Sequence, residues 1–340
     1  MKNQTKTSFL TKMKKLRLIS FVLIAFLITT SCNSSYSTAK KESASLRFDW
    51  FTSMTFSGEV WGYNEFAKKN NLDLKLEPGS ETTDPLKLVI AGSNEFGCIS
   101  AEKFLAANEK GADLVAIGVI NQISPTVFIS KKEKNITTPK DWIGKRVGIL
   151  PGGATEYVYR SLLRKEGIIS TQFKEVTVSF DLATFIADSY DVRPAFIYDE
   201  PVSLESQNIA YNLIEPKEYG VNYVGRVYFA KRDFVKNNPE LVQKFINTMA
   251  DGWNASMANP EEAINNLKKF EPKTDLNRDL ASLKKAKPYY VDANGKTLTF
   301  NYAFWDATVN ELSELGIIKN KNYKDSIDER FVNNYYSSHK

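Results

Sequence analysis

Lys145-Arg-Val-Gly-Ile-Leu-Pro-Gly-Gly-Ala-Thr-Glu-Tyr-Val-Tyr-Arg160 is the stretch that decides the fold. Its apolar start predicts a short strand over Arg146–Leu150. A Pro-Gly-Gly turn follows and opens into an amphipathic helix from near Thr155 to Lys165, stopped by Gly167. Backbone N–H groups at such a helix start can hold an anionic or polar ligand. Enzymes and binding proteins both use this geometry, so the surroundings decide its role.

Working outward, the chain keeps alternating strand and helix. On the N-terminal side, strands are expected over Leu46–Phe51, Leu72–Leu76, Glu95–Ile99, Leu114–Ile120 and Thr126–Ser130. Helices are expected over Gly58–Asn70, over Asp84–Ala91 with Asp84 as cap, and over Ser100–Asn108. On the C-terminal side, Val176–Phe180, Ala195–Tyr198, Ala210–Ile214 and Val224–Ala230 read as strands. Helices are expected over Leu182–Ser189, Pro239–Met257, Pro260–Phe270, Phe304–Leu315 and Asp325–Tyr335. This order predicts α/β layers in two lobes. The first lobe is discontinuous, 45–132 plus 226–340, and the second is 133–225. Chain crossings near 131–136 and 222–227 would form a hinge, with a ligand cleft between the lobes.

The N-terminus carries a different signal. Residues 1–31 hold Lys2, Lys6, Lys12, Lys14, Lys15 and Arg17 and no acidic residue. An apolar run from Leu18 to Leu27, broken only by Ser20, precedes Thr29-Thr30-Ser31-Cys32. A basic segment, a short apolar core and small residues make an export signal. Cys32 in that place resembles the lipidated cysteine of a bacterial lipobox. Residues 1–32 are therefore read as a signal and 33–44 as a tether. The chain has 45 basic and 40 acidic residues. Setting aside the signal's six basic residues leaves the body near neutral. The basic balance belongs to the signal, and no nucleic-acid partner is expected.

Nucleophilic and metal chemistry have little to work with. Beyond Cys32 only Cys98 remains, in the apolar run Phe96-Gly97-Cys98-Ile99, where it reads as a buried small hydrophobe. The single histidine is His339, beside the C-terminus. A single histidine beside the C-terminus argues against a Ser-His-Asp triad, a Cys-His pair or a histidine-based zinc site. No catalytic residue, metal or cofactor is expected.

Several strings in order carry a resemblance over about residues 46–335. They are Phe48-Asp49-Trp50, Val89-Ile-Ala-Gly92 with Glu95-Phe96-Gly97, and Asp141-Trp-Ile-Gly-Lys-Arg-Val-Gly148. Tyr198-Asp199-Glu200-Pro201, Asn238-Pro239-Glu240-Leu-Val-Gln-Lys-Phe-Ile246 and Asn259-Pro260-Glu261-Glu262-Ala263 continue the series. The chain resembles the NMT1/THI5-like family of substrate-binding proteins for ABC importers, nearest to its thiamine-pyrimidine-precursor binders. That resemblance implies a two-lobe periplasmic binding protein-like type II fold, α/β with central mixed sheets. It also implies a monomer working with a small-molecule ligand and an ABC permease, outside the cytoplasmic membrane and held there by a lipid on Cys32. Relative to that branch, Thr52 and Ser53 replace a Pro-Asn pair and Phe56 replaces a histidine. The cysteine-rich motif of the related fungal pyrimidine synthases is absent.

The candidate ligand residues fall in four groups. Trp50 and Phe51 end the first predicted strand, where open α/β sheets place ligands, and an indole there can stack on a flat ring. Ser53, Phe56 and Glu59 follow, with Asp49 as a further polar contact. Ser100 ends another strand. Gly152, Gly153, Ala154 and Thr155 form the helix-start cradle, and Glu156 beside it disfavours a bare anion. Tyr198, Asp199 and Glu200 end a strand of the second lobe, where a carboxylate can accept from an amine. Three readings remain open at this stage. The first is a binder of a small nitrogen heterocycle. The second is a binder of riboflavin, a sulfonate or another small organic anion. The third is an enzyme of pyrimidine synthesis.

Overall fold

The computed structural model describes residues 42–179 and 181–339. The export signal, Cys32 and most of the tether lie outside the described residues. The tether's expected end does not hold: residues 42–44 already belong to the first strand. Ser43–Arg47 pair in register with Asp73–Glu77 there, so the backbone has a sheet partner to satisfy.

Ten strands form two sheets among the described residues. The first contains β1 (Glu42–Arg47), β2 (Leu72–Glu77), β3 (Phe96–Ser100), β4 (Leu114–Val119) and β10 (Arg226–Lys231), in the order β2-β1-β3-β10-β4. The second contains β5 (Thr126–Lys131), β6 (Arg146–Ile149), β7 (Lys174–Thr177), β8 (Val192–Phe196) and β9 (Tyr211–Ile214), in the order β7-β6-β8-β5-β9. Both sheets are mixed: β10 runs antiparallel to β3 and β4, and β5 antiparallel to β8 and β9. The edge strand β2 alternates buried Leu72, Leu74 and Leu76 with exposed Asp73 and Lys75, as a half-buried strand must. The opposite edge strand, β4, is nevertheless buried at every position, covered by the helices around it.

One expected boundary moves. Thr126–Lys131 was assigned to the first lobe, but it pairs with Val192–Phe196 and Tyr211–Ile214 in the second sheet. The first crossing therefore lies between Val119 and Thr126. The apolar pattern of β5 fits either sheet, and only its pairing partners decide.

Two further differences have local causes. The helix expected over Gly58–Asn70 is α-helical only over Ser57–Trp61 and then widens to a π turn over Gly62–Phe66. A Cβ at Gly62 would stand 2.7 Å from the Thr248 carbonyl, and one at Gly58 would run into the Trp253 ring. These glycines let the segment lie directly on the long Pro239–Ala258 helix. An additional helix, Leu276–Tyr290, is capped by the Asp275 carboxylate, which accepts from the Asn277 and Arg278 N–H groups. It packs against both the Met54–Phe56 turn and the Glu200–Ser206 helix, and so touches both lobes. Its lysine-rich sequence hides the apolar stripe.

Candidate functional site

The first lobe builds its half of the site at one edge of the sheet. β1 ends at Arg47, so Asp49, Trp50 and Phe51 leave the sheet there rather than extend it. Gly79 fixes the exit: its N–H donates to the Trp50 carbonyl at 2.9 Å. β10 begins at the same edge, and its first residue, Arg226, is the register partner of Ser100, the last residue of β3. The Arg226 Nη1 donates to Asp49 Oδ1 at 3.2 Å and its Nη2 to the Thr55 carbonyl at 2.5 Å. The guanidinium lies 4.3 Å above the Phe56 ring, whose other face stacks on Phe48 at 4.0 Å. Phe56 is fully buried. Proposed as a ligand contact, it instead has a protein group on each face.

Beneath this pair runs a buried relay. Trp253 Nε1 donates to the Tyr228 hydroxyl at 2.9 Å, and that hydroxyl donates to Glu59 Oε1 at 2.7 Å. Glu59 is wholly buried. Burial pushes its carboxyl up to about 7, with Arg226 and the Tyr228 bond opposing the rise. The Tyr290 ring stacks on Trp253 at 4.4 Å and closes the cluster from the Leu276–Tyr290 helix.

Polar atoms around this edge are left over. Thr52 Oγ1, Ser57 Oγ, Glu59 Oε2, Arg226 Nε and the Tyr290 hydroxyl are buried and meet no hydrogen-bond partner of good geometry. Ser100 Oγ, on Arg226's strand partner, and Glu102 Oε2, two residues further on, share that state. Glu102 is 2% exposed, and burial pushes its carboxyl up to about 7, with the first-turn backbone and the Ser100 hydroxyl pulling it down. Most buried polar atoms in folded proteins are paired, so this concentration at one edge is informative.

The second lobe behaves differently. Of its residues proposed from sequence, most are engaged within the lobe. Glu200 Oε1 accepts from Arg193 Nη2 at 3.0 Å and its Oε2 from the Phe196 N–H at 2.8 Å. Arg193 is completely buried, so Glu200 serves as its counter-ion rather than as a contact held open for a ligand. Asp199 is exposed at the start of the Glu200–Ser206 helix. In the Pro-Gly-Gly turn, the Gly152 N–H donates to Glu156 Oε2 at 2.6 Å and the Gly153 N–H to the Leu150 carbonyl at 3.0 Å. Gly152 sits at φ +72°, which explains glycine there. Ala154 opens the helix, Ala154–Glu166, and Thr155 keeps a buried, unpartnered Oγ1. Tyr198 reaches across the lobes: its hydroxyl accepts from Asn121 Nδ2 at 3.4 Å, and its ring meets Tyr289 and Tyr290 at 5.8 and 6.2 Å.

Of the remaining proposed residues, Trp50 is half-buried against the first-lobe core and meets Phe51 edge-on at 5.3 Å. Phe51 is 50% exposed. Ser53 Oγ shares a hydrogen bond with Thr55 Oγ1 at 2.9 Å, within its own loop. Cys98 is buried, as expected, with burial raising its thiol. Sequence reasoning missed Arg226, Asn121, Glu102 and Tyr290 as site residues. Arg226 carried a usable signal: it is a cation directly before the apolar run 227–230, beside a predicted lobe crossing.

The arrangement brings polar groups from several elements together. Its groups donate and accept hydrogen bonds, and the single histidine stands far off in sequence, stacked on Tyr335 at 4.2 Å. Among the described residues no group of three His, Cys, Asp or Glu side chains is placed to hold a metal ion.

Similarity to known proteins accords with this geometry. A 4-amino-5-hydroxymethyl-2-methylpyrimidine phosphate synthase of Legionella pneumophila is 25% identical over 239 residues, 68% of this chain and 75% of its own length. A formylaminopyrimidine-binding protein of Halalkalibacterium halodurans is 22% identical over 262 residues, 75% and 79% of the two chains. A periplasmic sulfonate-binding protein from Methylobacillus flagellatus shares the fold at a TM-score of 0.66 and 14% identity, covering 88% of this chain and 94% of that one. The family model described as NMT1/THI5 like matches residues 63–263, more than half of the length, and the chain belongs to that family.

Proposed function

We propose that this protein is the solute-binding component of an ABC importer. It captures a small amine-bearing nitrogen heterocycle, a thiamine pyrimidine precursor or analogue, and hands it to a membrane permease without chemical change. Residues 1–32 direct export, and a lipid on Cys32 holds the binding domain, as a monomer, outside the cytoplasmic membrane. Ligand loading favours closure of the two lobes, and the closed form docks on the permease.

The observation that carries this reading is the set of unpartnered buried polar atoms where β1, β3 and β10 meet the second lobe. Its charge balance favours the ligand class. Asp49 and Glu59 face one guanidinium, Arg226, which Asp49 and the Thr55 carbonyl already engage, and Glu102 lies within electrostatic reach of Asp49. Such a site suits hydrogen-bond donors on the ligand better than a bare sulfonate. The relative named as a synthase keeps the enzyme reading in view, but the chain has one histidine and two cysteines, and its fungal counterparts' cysteine-rich motif is absent.

Native mass spectrometry of the full-length protein with aminopyrimidines, thiamine, riboflavin and alkanesulfonates tests the proposal. An unmodified aminopyrimidine adduct is expected, weakened roughly 30-fold or more in Arg226→Met. Preference for a flavin or sulfonate over every aminopyrimidine would refute the ligand class, and turnover of the bound molecule would refute the transport role.

A further inference from the structure

Glu102 is unusual within the site. It lies in the first turn of the Ala101–Glu109 helix, directly after β3, with 2% of its surface exposed. One carboxyl oxygen, Oε2, is buried with no hydrogen bond of good geometry; the neighbouring Ser100 hydroxyl, itself unmet, is the side chain that most pulls this carboxyl down, against its burial. The titratable and charged groups that face it are Lys103, Asp49, Tyr157 and Tyr223. No salt bridge joins it to a cation among the described residues. Tyr223 is already committed, sharing a 2.8 Å hydrogen bond with Ser161.

The opposite wall comes from the other lobe. The Ala154–Glu166 helix touches the Ala101–Glu109 helix, and its first turn carries Thr155, 6% exposed, whose Oγ1 also lacks a partner. Two nearly buried side chains, each with unmet hydrogen-bonding capacity, thus sit in the first turns of two touching helices, one from each lobe. Packing alone would be served by an apolar residue at either position. A carboxyl oxygen and a hydroxyl left unmet on touching helices instead suit a group that arrives from outside and donates more than one hydrogen bond.

We infer that Glu102 is the specificity-determining residue of the site: its free oxygen, with the Thr155 hydroxyl opposite, receives the ligand's exocyclic amine. This rests on the solute-binding reading above and deepens it. The first lobe supplies the acceptor, and the second closes on the same amine, so the contact is completed only in the closed form. The carboxyl that accepts from the amine is thereby Glu102, in place of the Asp199–Glu200 pair suggested by sequence. A donor-rich ligand favours the ionised carboxyl, so binding near neutral pH releases a proton from Glu102.

Calorimetry on the full-length protein, with a 4-aminopyrimidine and its 4-oxo counterpart as probes, tests this. Wild type is expected to prefer the amino compound by roughly tenfold or more. Glu102→Gln should shrink that ratio to within about threefold, and Thr155→Val, which removes only the hydroxyl, should shrink it partly. Titrations in buffers of different ionisation enthalpy should show proton release in wild type and none in Glu102→Gln. An unchanged ratio in folded Glu102→Gln, or proton release that persists there, overturns the assignment alone. Failure of wild type to bind either probe overturns the solute reading and takes this inference with it.

Discussion

The two edges of the cleft are built on opposite plans. In the second lobe, Glu200 has both oxygens engaged by Arg193 and the Phe196 N–H, and the Gly152 N–H is held by Glu156 of the same turn. In the first lobe, Thr52, Ser57, Glu59, Ser100, Glu102 and Arg226 each retain a buried polar atom without a partner. Thr155 Oγ1 apart, most of these second-lobe groups are engaged within their own lobe, whereas those of the first lobe keep unmet polar atoms. The difference teaches that a carboxylate at the right end of a strand is not yet a ligand contact. What matters is whether its lone pairs are already occupied.

The sharpest way to break this comparison is to remove the Glu200 carboxylate. Glu200→Ala would leave the fully buried Arg193 guanidinium without its counter-ion. Losing one partner of a buried ion pair typically destabilises a protein by roughly 3–5 kcal/mol. Urea denaturation should show a loss of that order, with near-normal affinity in the fraction that remains folded. Normal stability together with abolished binding would return Glu200 to the ligand site.

The first-lobe carboxyls predict a pH dependence of the apo protein. Glu59 and Glu102 are raised from 4.5 to about 7, chiefly by burial. In the unfolded chain they ionise near their ordinary value. Between about pH 4.5 and 7 the folded state therefore holds protons that the unfolded state has lost. Their contribution is fully present below about pH 4.5 and is lost as pH rises through 7, on the order of 3 kcal/mol for each group. Thermal melting should fall by several degrees between pH 5 and 8 and fall less in Glu59→Gln and Glu102→Gln; Glu200, which burial likewise pushes up to about 7, supplies part of the remaining slope. A melting temperature that rises over this interval in wild type would mean that these carboxyls find partners in the folded state.

Much of the frame was legible in the sequence. The strand–turn–helix unit at 146–166, the Asp84 cap and the long Pro239–Ala258 helix follow from period, punctuation and capping chemistry, which are local. The lobe assignment of β5 was not legible, because its apolar run is compatible with either sheet and pairing is non-local. The site divides in the same way. Gly152 and Gly153 could be found because a tight turn demands small residues. Arg226 could be placed only by learning that its strand returns antiparallel to β3 and brings it opposite Ser100. Glu102 carried no motif, since its importance lies in the partner it lacks, and a partner's absence is a property of three dimensions.

The smallest expected effect comes from the turn that decides the fold. Glu156 Oε2 caps the Gly152 N–H, and Oε1 pairs with Arg160 at 3.3 Å, with both side chains partly exposed. Glu156→Gln keeps an oxygen acceptor for the N–H while removing the charge, so the stability change should stay below about 1 kcal/mol. If the second-lobe wall is preassembled, affinity for an amine-bearing ring should change less than about threefold, because the charge removed is already paired within its own turn. Affinity for a sulfonate should rise slightly at low salt, since a negative charge beside the helix start has gone. Calorimetry with both probe classes measures this directly. A loss of amine affinity larger than that of Glu102→Gln would reverse the comparison and move recognition from the first lobe to the second.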